Sequence, residues 1–422
     1  MHQLGFAEIR EKVVIQNESS LLAQRDYRLI FAASLLTTIS GSIASLALPL
    51  TAVLHLHASS LQMAMLMAFG LLPFALFSLP AGAWIDRSRK RRIGVAFNLL
   101  AAVAMLMVPI AFINHALSMA VLYLLEFIVG GCAVIGGSAV QVLLTQVVGR
   151  ERLLAATSQM TAAQAGIAIV GPAFAALLVA RFGSELTLSA CAVLFTAGAV
   201  VLWRIRQDDA PGTQASVPWW QDAVGGLQLI RVSPVLRALA VFAALWLMLL
   251  GAYGAQFVLF TTRDLGLAAA DLAVIGSFGA AGAVMGSMAA RRFGLRLGAR
   301  IVMLAGLLIS AFGMGLYPQA GAVGGLTLIF AAAVKLFTEV GITLYTVNYI
   351  SLRHRVTPDE MLGRVTTTMR GLGVSAAPVG ALAGGAIADR VGIAPMMMLA
   401  SAAGIALWLV ALRYLPAEPR GK

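Results

Sequence analysis

Long apolar runs separated by short polar turns make up most of this chain. Each run holds about 20 or more mostly apolar residues, enough for an α-helix to cross a hydrocarbon core of about 30 Å. The runs lie at 29–54, 61–84, 93–113, 116–140, 155–180, 184–204, 236–260, 267–290, 300–318, 322–350, 368–388 and 393–414. They are too long and too continuous for the short alternating strands of a membrane barrel. The pattern predicts an all-α integral membrane protein with twelve transmembrane helices.

The composition agrees with this prediction. Of the 422 residues, 60% are hydrophobic and 11% are charged, and the mean hydropathy is +0.90. A soluble globular protein carries about 25% charged residues. The first 27 residues are polar and mixed in charge, and they lack the short apolar core and small-residue cleavage site of a signal peptide. We therefore expect the first apolar run to remain in the membrane.

Basic residues concentrate in alternate turns. If the chain begins in the cytoplasm, 26 of its 30 lysines and arginines fall on cytoplasmic segments. Cytoplasmic loops of membrane proteins carry such an excess. The net charge of +12 then faces lipid headgroups and cytosol, which argues against a nucleic-acid partner. We expect a multi-pass protein of the bacterial cytoplasmic (inner) membrane with both termini in the cytoplasm.

One stretch of sequence occurs twice. Residues 147–183 read "VVGRERLLAATSQMTAAQAGIAIVGPAFAALLVARFG", and residues 356–392 read "VTPDEMLGRVTTTMRGLGVSAAPVGALAGGAIADRVG". Both begin with a charged patch, reach a glycine and a proline near the middle and end on Arg-x-Gly. Gly171 matches Gly380 at a spacing of 209 residues, close to half of the chain. The repeat therefore indicates two halves of six helices each.

The duplication predicts two six-helix bundles in parallel orientation, related by a pseudo-twofold axis. Transporters with such bundles rock one against the other around a central site. The longest polar stretch lies between the halves, where Trp219 and Trp220 begin a segment with the apolar spacing of a short interfacial helix. The predicted parts are the cytoplasmic segment 1–27, the bundle 28–204, the cytoplasmic linker 205–235, the bundle 236–414 and the cytoplasmic tail 415–422.

A short motif joins the second and third runs. It reads "GAWIDRSRKRR" and resembles the cytoplasmic signature of the major facilitator superfamily, which has a glycine, an Asp-Arg pair and a basic cluster. Glycine permits close helix packing, an acidic residue is stabilised near a helix N-terminus, and basic residues hold the turn at the headgroups. The resemblance implies the major facilitator fold and a gate latch in the outward-open state. The gating residues would be Gly82, Asp86, Arg87, Lys90 and Arg91.

The fifth run holds a second motif, "GIAIVGPAFAA". It resembles the Gly-Pro element of exporters in the same superfamily, and its residues are Gly166, Gly171 and Pro172. Proline bends a helix, and glycine allows tight packing against a partner helix. Together with "LPAGAWIDR", "RERLLAATSQ", "TPDEMLGRV" and "APVGALAGG", the chain is similar to the branch that contains macrolide-efflux proteins and the enterobactin exporter. This similarity implies export rather than uptake.

Three charged residues lie well inside the predicted helices, away from their ends, and a charge at the middle of a spanning helix costs about 2.5 to 3.5 kcal/mol on insertion scales. Glu126 lies in run four, within "YLLEFIVGGCA". Burial disfavours the charged form of a carboxyl group, so Glu126 is a candidate to load and release a proton. It could equally attract a cationic substrate or be hydrogen-bonded within its bundle. Lys335 and Glu339 lie four residues apart in run ten and can neutralise each other on one helix face.

Uncharged polar residues are further candidates for a substrate pocket. Run seven supplies Gln256, and run ten supplies Tyr345 and Asn348. The family resemblance implies a central pocket walled by runs one, four, seven and ten. The candidates for proton coupling or substrate binding are therefore Glu126, Lys335, Glu339, Gln256, Tyr345 and Asn348.

Other kinds of chemistry lack their residues in this sequence. Cys132 and Cys191 lie in apolar runs, which suits small core residues better than a disulfide or a metal site. His55 and His57 lie near the outer end of run one without an acidic companion in the sequence, so we expect no metal site. The sequence has no G-x-x-x-x-G-K-[ST] and no H-E-x-x-H motif. We expect no enzyme activity, no catalytic residues, no cofactor and no nucleotide-driven pumping.

These observations lead to one main hypothesis. We expect a monomeric secondary transporter that exports a small amphipathic compound, such as a drug or a siderophore, in exchange for protons. Uptake of a nutrient or siderophore by the same fold is an alternative. A membrane sensor or assembly partner that does not transport is another alternative, although the linker is too short for a signalling domain.

Overall fold

A computed structural model describes residues 21–206, 227–358 and 361–415. These residues form helices and turns, without a strand. Most of the predicted N-terminal segment, the predicted interfacial helix at Trp219 and the tail from residue 416 lie outside the described part of the chain. Residues 227–232, at the end of the linker, are helical.

Twelve long helices in the described residues run through the molecule in alternating directions. They are α1 (Arg25–Leu56), α2 (Ser60–Asp86), α3 (Lys90–Ile113), α4 (Met119–Gly149), α5 (Glu151–Phe182), α6 (Ser184–Trp203), α7 (Pro234–Leu259), α8 (Ala269–Leu297), α9 (Ala299–Leu316), α10 (Thr327–Val356), α11 (Leu362–Val391) and α12 (Ile393–Tyr414). A π-helical turn (Phe260–Asp264) extends α7, and a 3₁₀ segment (Tyr317–Leu326) joins α9 to α10. Each predicted apolar run overlaps one of these helices, so the twelve-helix prediction is confirmed.

Two glycines at helix junctions mark the internal repeat. Gly183 (φ 81°, ψ 161°) separates α5 from α6, and Gly392 (φ 92°, ψ 160°) separates α11 from α12. Both backbone conformations lie in a region that glycine adopts far more readily than other residues. The two positions are 209 residues apart. The backbone therefore repeats at the spacing found in the sequence.

The turns distinguish two ends of the molecule. We call the end that holds the turn 87–89 the basic end, because the clusters of arginine and lysine lie there. The opposite end holds the turns 57–59, 114–118 and 265–268, and we call it the distal end. Helices with odd numbers run from the basic to the distal end, and helices with even numbers run back.

The same helices pack together in both halves. In the first half α1 packs on α5 and α6, α3 on α4 and α6, and α2 on α4. In the second half α7 packs on α11 and α12, α9 on α10 and α12, and α8 on α10. Adding six to each number in the first set gives the second set. Between the halves, α2 packs on α11 and α5 packs on α8. These two contacts are equivalent, because α8 is the counterpart of α2 and α11 is the counterpart of α5. The molecule therefore consists of two pseudo-twofold-related six-helix bundles.

Glycines allow the closest crossings within each bundle. Gly130 of α4 lies directly on the backbone carbonyl of Gly70 in α2, and Gly380 of α11 lies on the backbone of Met248 in α7. A Cβ atom at Gly130 or Gly380 would overlap with the backbone of the other helix. Close packing of this kind holds helices together in lipid, where the hydrophobic effect does not.

The two bundles meet at the distal end. The carboxylate of Asp389 in α11 accepts from the backbone N–H of Ser60 in α2 (2.9 Å), and the side-chain amide of Gln256 in α7 donates to the Ser60 carbonyl (2.9 Å). Toward the basic end, Gly82 of α2 and Gly371 of α11 have no atom within 4 Å of the position of a Cβ. The cleft between the bundles is therefore closed at the distal end and wider toward the basic end.

Two glycine substitutions in α11 test this packing. Gly380→Ala should lower the thermal stability of the protein in detergent, because overpacking a crossing costs about 1–3 kcal/mol. Gly371→Ala should leave the stability unchanged or raise it slightly, because alanine favours a helix over glycine by about 1 kcal/mol. Thermal unfolding followed by tryptophan fluorescence measures both variants, and equal melting temperatures would contradict the crossing at Gly380.

Candidate functional site

A cavity of about 550 Å³ lies in the N-terminal bundle, and we call it the alcove. Its walls come from α1, α3, α4, α5 and α6. Most of the lining residues, including all of those from α3, α5 and α6, belong to the half of each helix nearer the basic end. Gly41, Gly137 and Thr161 are exposed, whereas Phe195 is buried behind them. The alcove therefore lies on the side of the molecule where the cleft is wider.

The polar groups in the alcove are uncharged. They are the side chains of Ser34, Thr37, Thr38, Asn98, Gln141, Thr157, Thr161 and Gln164. The Thr37 hydroxyl lies 3.2 Å from Oδ1 of Asn98, whose Nδ2 donates to the Gly94 carbonyl (2.8 Å). Gln164 donates to the Ser34 hydroxyl (3.4 Å). A molecule in the alcove would meet hydroxyl and amide groups but no charged lining residue.

Glu126 lies on the distal side of the alcove. It precedes Val129, a lining residue, by three positions, so its Cα lies about 4.5 Å farther along α4. The side chain is half-buried and faces α2, where a Cβ on Gly70 would stand 3.3 Å from Oε2. No hydrogen bond or ion pair to this carboxylate occurs among the described residues. The carboxyl group can therefore change its protonation state without breaking an ion pair.

Lys335 and Glu339 form an ion pair in α10. Nζ of Lys335 lies 2.8 Å from Oε1 of Glu339, and the two side chains are 18% and 24% exposed. The ammonium group also lies 4.7 Å from the ring centre of Phe257 in α7, a cation–π distance. Gly279 of α8 packs against the aliphatic stems of both side chains. The two charges are therefore compensated inside the C-terminal bundle, apart from the alcove.

Gln256 lies in the contact between the bundles. The residue has no exposed surface, and its amide donates to the Ser60 carbonyl in the other half. Its Oε1 has no hydrogen-bond partner among the described residues. Gln256 thus joins α7 to the start of α2 and does not line the alcove.

Tyr345 and Asn348 pack inside the C-terminal bundle. The Tyr345 ring stacks on Tyr349 with 5.9 Å between the ring centres and lies 6.0 Å from Trp246 of α7. Asn348 donates from Nδ2 to the Leu344 carbonyl one turn earlier (2.9 Å). Both residues are buried. The structure does not bring them together with Glu126.

His55 pairs with an acidic residue from another helix. Its Nε2 lies 2.8 Å from Oε2 of Glu185, at the start of α6. The expectation that the histidines of run one lack an acidic companion is therefore wrong for His55, because the fold brings in a residue 130 positions away. Within the described ranges, no group of three or more His, Cys, Asp and Glu side chains could hold a metal ion.

Known protein families and proteins are similar to this chain in amino-acid sequence. The family model for the Major Facilitator Superfamily matches residues 30–295, which is more than half of the chain. The chain belongs to the major facilitator superfamily. It is 29% identical over 406 residues to the multidrug efflux pump Tap of Mycolicibacterium fortuitum, covering 92% of this chain and 95% of that protein. The protein is therefore a multi-pass membrane transporter and not an enzyme.

Solved structures show the same fold. The nucleoside transporter NupG superposes with a TM-score of 0.76 at 12% identity, covering 93% of this chain and all of that one. A bacterial homologue of the iron transporter ferroportin, 17% identical, gives a TM-score of 0.73 in its inward-facing state, covering 93% and 99% of the two chains. In its outward-facing state the score is 0.59, with 92% and 99% covered. All three comparisons cover more than nine tenths of the chain and show the same overall fold.

The predicted gating residues lie at the turn between α2 and α3. Gly82, Asp86 and Arg87 are exposed, and no hydrogen bond or ion pair of the Asp86 carboxylate occurs among the described residues. Nζ of Lys90 donates to the Asp86 carbonyl (3.2 Å), and Arg91 donates to a backbone carbonyl just after α6. Lys90 and Arg91 thus tie the turn to its own bundle.

The Gly-Pro element of α5 reaches both bundles. Gly171 lies against the side chain of Ser42 in α1, and a Cβ on Gly276 of α8 would stand 3.2 Å from Cβ of Pro172. Gly166 is exposed and has no atom within 4 Å of the position of a Cβ. Gly171 and Pro172 therefore lie where α5 meets α1 in its own bundle and α8 in the other.

Sequence reasoning missed two groups of residues. Asn98, Gln141 and Gln164 line the alcove, and Asp389 joins the bundles. Asn98 is a lone polar residue in the apolar run "GVAFNLLAAVAML", which was a signal of an interior role. The family resemblance implies a pocket walled by runs one, four, seven and ten, whereas the walls of the alcove come from α1, α3, α4, α5 and α6.

A mutant cycle tests whether Lys335 and Glu339 act only on each other. Lys335→Met and Glu339→Gln should each destabilise the protein by about 1–3 kcal/mol, because each leaves an unpaired charge in a largely apolar site. The double variant should recover most of that loss. Thermal stability in detergent measures all four proteins. A double variant that is stable but inactive in transport would contradict a purely structural pair.

Proposed function

We propose that this protein is a proton-coupled exporter of small amphipathic compounds that works by alternating access as a monomer. The alcove beside Glu126 is the observation that supports this function most directly. It offers a binding volume on the side of the molecule where the cleft is wider, next to a carboxyl group that meets no described cation.

The orientation in the membrane follows from the charge distribution. Of the 30 lysines and arginines, 26 lie at the basic end or in the terminal segments and linker, and such residues prefer the cytoplasmic side. In this orientation both termini are cytoplasmic and the described state loads its cargo from the cytoplasm or the inner leaflet. The proposed cellular location of the transporter is the bacterial inner membrane.

Export is the direction that two observations favour. The relative that this chain matches over 95% of the relative's length is named a multidrug efflux pump. The Gly-Pro element of α5 lies where the two bundles meet, against Gly276 of α8, and it resembles the element found in exporters. A drug-like compound or a siderophore suits a pocket with both apolar and hydroxyl-bearing walls.

Glu126 would couple this transport to protons. In the state open at the basic end, the carboxyl group releases its proton to the cytoplasm while a compound enters the alcove. In the state open at the distal end, the compound leaves and Glu126 takes up a proton. Each proton that enters down a potential of 100 mV supplies about 2.3 kcal/mol, enough for roughly fifty-fold accumulation of a neutral cargo.

Glu126→Gln tests the proton role. The amide keeps the size of the side chain but cannot titrate, so the variant should lose most of the substrate efflux driven by an imposed pH gradient in proteoliposomes. Binding of the compound in detergent should change much less. Asp264→Asn removes an exposed carboxylate at the distal surface and should transport as the wild type does.

The same assay separates the alternatives. Unchanged coupling in Glu126→Gln would remove this residue from the proton pathway while leaving the transporter assignment intact. Transport of the compound from the distal side to the basic side of the protein would favour uptake of a nutrient or siderophore. A compound that binds but never crosses the membrane would favour a sensor or an assembly partner.

A further inference from the structure

We propose that the alcove selects uncharged amphipathic compounds over permanent cations. This inference rests on the proposed export function and adds the chemical class of its cargo. None of the residues that line the alcove is charged. A cation that entered it would lose water without gaining a counter-charge from the lining, which is strongly unfavourable. The Glu126 carboxylate faces α2, which does not line the alcove.

The alcove offers hydrogen-bonding groups that are not already engaged. The side chains of Gln141 and Thr161 are exposed, and neither makes a hydrogen bond within the described part of the chain. Asn98, Thr37 and Gln164 behind them bond to their neighbours in the bundle. Carbonyl or hydroxyl groups of a ligand would therefore bind first at Gln141 and Thr161.

The back of the alcove is apolar. Phe97, Met160 and Phe195 line it, and Met160 and Phe195 are buried. A volume of about 550 Å³ is within the range of pockets that bind drug-sized molecules. The arrangement fits a compound with an apolar body and one or two neutral polar groups.

A charge introduced at Gln141 tests the selection. Two probes are used, N-phenyl-1-naphthylamine as an uncharged amphiphile and tetraphenylphosphonium as a permanent cation. The wild type should bind the uncharged probe at least about tenfold more tightly. Gln141→Glu should bind tetraphenylphosphonium about tenfold more tightly than the wild type does. Equilibrium binding to purified protein in detergent measures both.

Gln146→Glu is the matched control. Gln146 is also exposed on α4 but does not line the alcove, so this variant should bind both probes as the wild type does. Equal wild-type affinity for the two probes would overturn the proposal, and so would an unchanged affinity of Gln141→Glu for the cation. The binding assay needs no proton gradient, so its failure is separate from a failure of proton-coupled export.

A second inference comes from the distal contact between the bundles: we infer that Asp389 is a latch that holds this end closed. Its carboxylate accepts from the backbone N–H groups of Ser60 (2.9 Å) and Leu61 (3.3 Å) and lies 3.3 Å from the Ser59 hydroxyl. Asp389 ends α11 in one bundle, and the three partners begin α2 in the other. A helix N-terminus attracts negative charge, so the contact is charge-assisted.

The latch can open without leaving α2 uncapped. Within α2, the Ser59 hydroxyl accepts from the Gln62 N–H, and the Gln62 side chain accepts from the Ser59 N–H. This capping box holds the first turn without Asp389. Asp389 is itself exposed, so water can replace it at Ser60 and Leu61 when the bundles part. The contact therefore suits a reversible closure.

Distance measurements between spin labels test the latch. Labels at Ala116 and Val323, exposed distal sites in opposite bundles, should report one main distance in the wild type, and this distance should lengthen when the distal end opens. Asp389→Ala should raise the ratio of distal-open to distal-closed molecules about tenfold, with a smaller shift for Asp389→Asn. Native Cys132 and Cys191 are replaced by alanine before labelling, because both are free thiols and Cys132 lines the alcove.

Arg390→Ala controls for a change in charge at the same helix end, and it should leave the distances unchanged. If Asp389→Ala has the same distance distribution as the wild type, the latch is overturned. A variant that failed to fold would lose the wild-type distance together with its thermal transition, so a melting curve of each labelled protein accompanies the measurement.

Discussion

Helices in a bilayer gain nothing by hiding apolar side chains from one another, because the surrounding lipid chains are equally apolar. Association must therefore come from close backbone approach, and small residues at the crossings provide it. Gly130 lies on Gly70 in the first bundle, and Gly251 lies on the Ala377 backbone in the second. Gly306 and Gly341 bring α9 and α10 equally close. Each bundle is thus packed backbone on backbone, which makes it suited to move as one body.

The contact between the bundles is of a different kind. It combines close approach at one end, where Gly385 meets α2, with two hydrogen bonds at Ser60, whose N–H donates to Asp389 and whose carbonyl accepts from Gln256. Farther along the same two helices, Gly82 and Gly371 have no neighbour within 4 Å of a Cβ position. The Asp389 carboxylate is exposed to water, so its hydrogen bonds can be exchanged for bonds to water at little net free energy. The bundles can therefore separate at this contact while each keeps its internal packing.

The twelve helices and the duplication could be predicted because the length of an apolar run and the spacing of a repeat are properties of the sequence alone. The Lys335–Glu339 pair could also be predicted, since residues four apart share a helix face. The face that each helix turns to the cleft could not be predicted, because these helices are apolar all round and give no amphipathic signal. Gln256 and Tyr345 are therefore packed between helices, while Asn98 lines the alcove, although all three are polar residues in apolar runs.

The pair α2 and α11 links the two ends of the cleft. The helices are antiparallel, so each ends close to where the other begins, and each carries an aspartate at its end. In the described state Asp389 at the end of α11 caps the start of α2, while Asp86 at the end of α2 is exposed. If Asp86 caps the start of α11 in the opposite state, as the gating motif of the superfamily implies, rocking exchanges one charge-assisted cap for another. Two states joined by such an exchange differ little in free energy, so that cargo and proton binding can shift the balance between them.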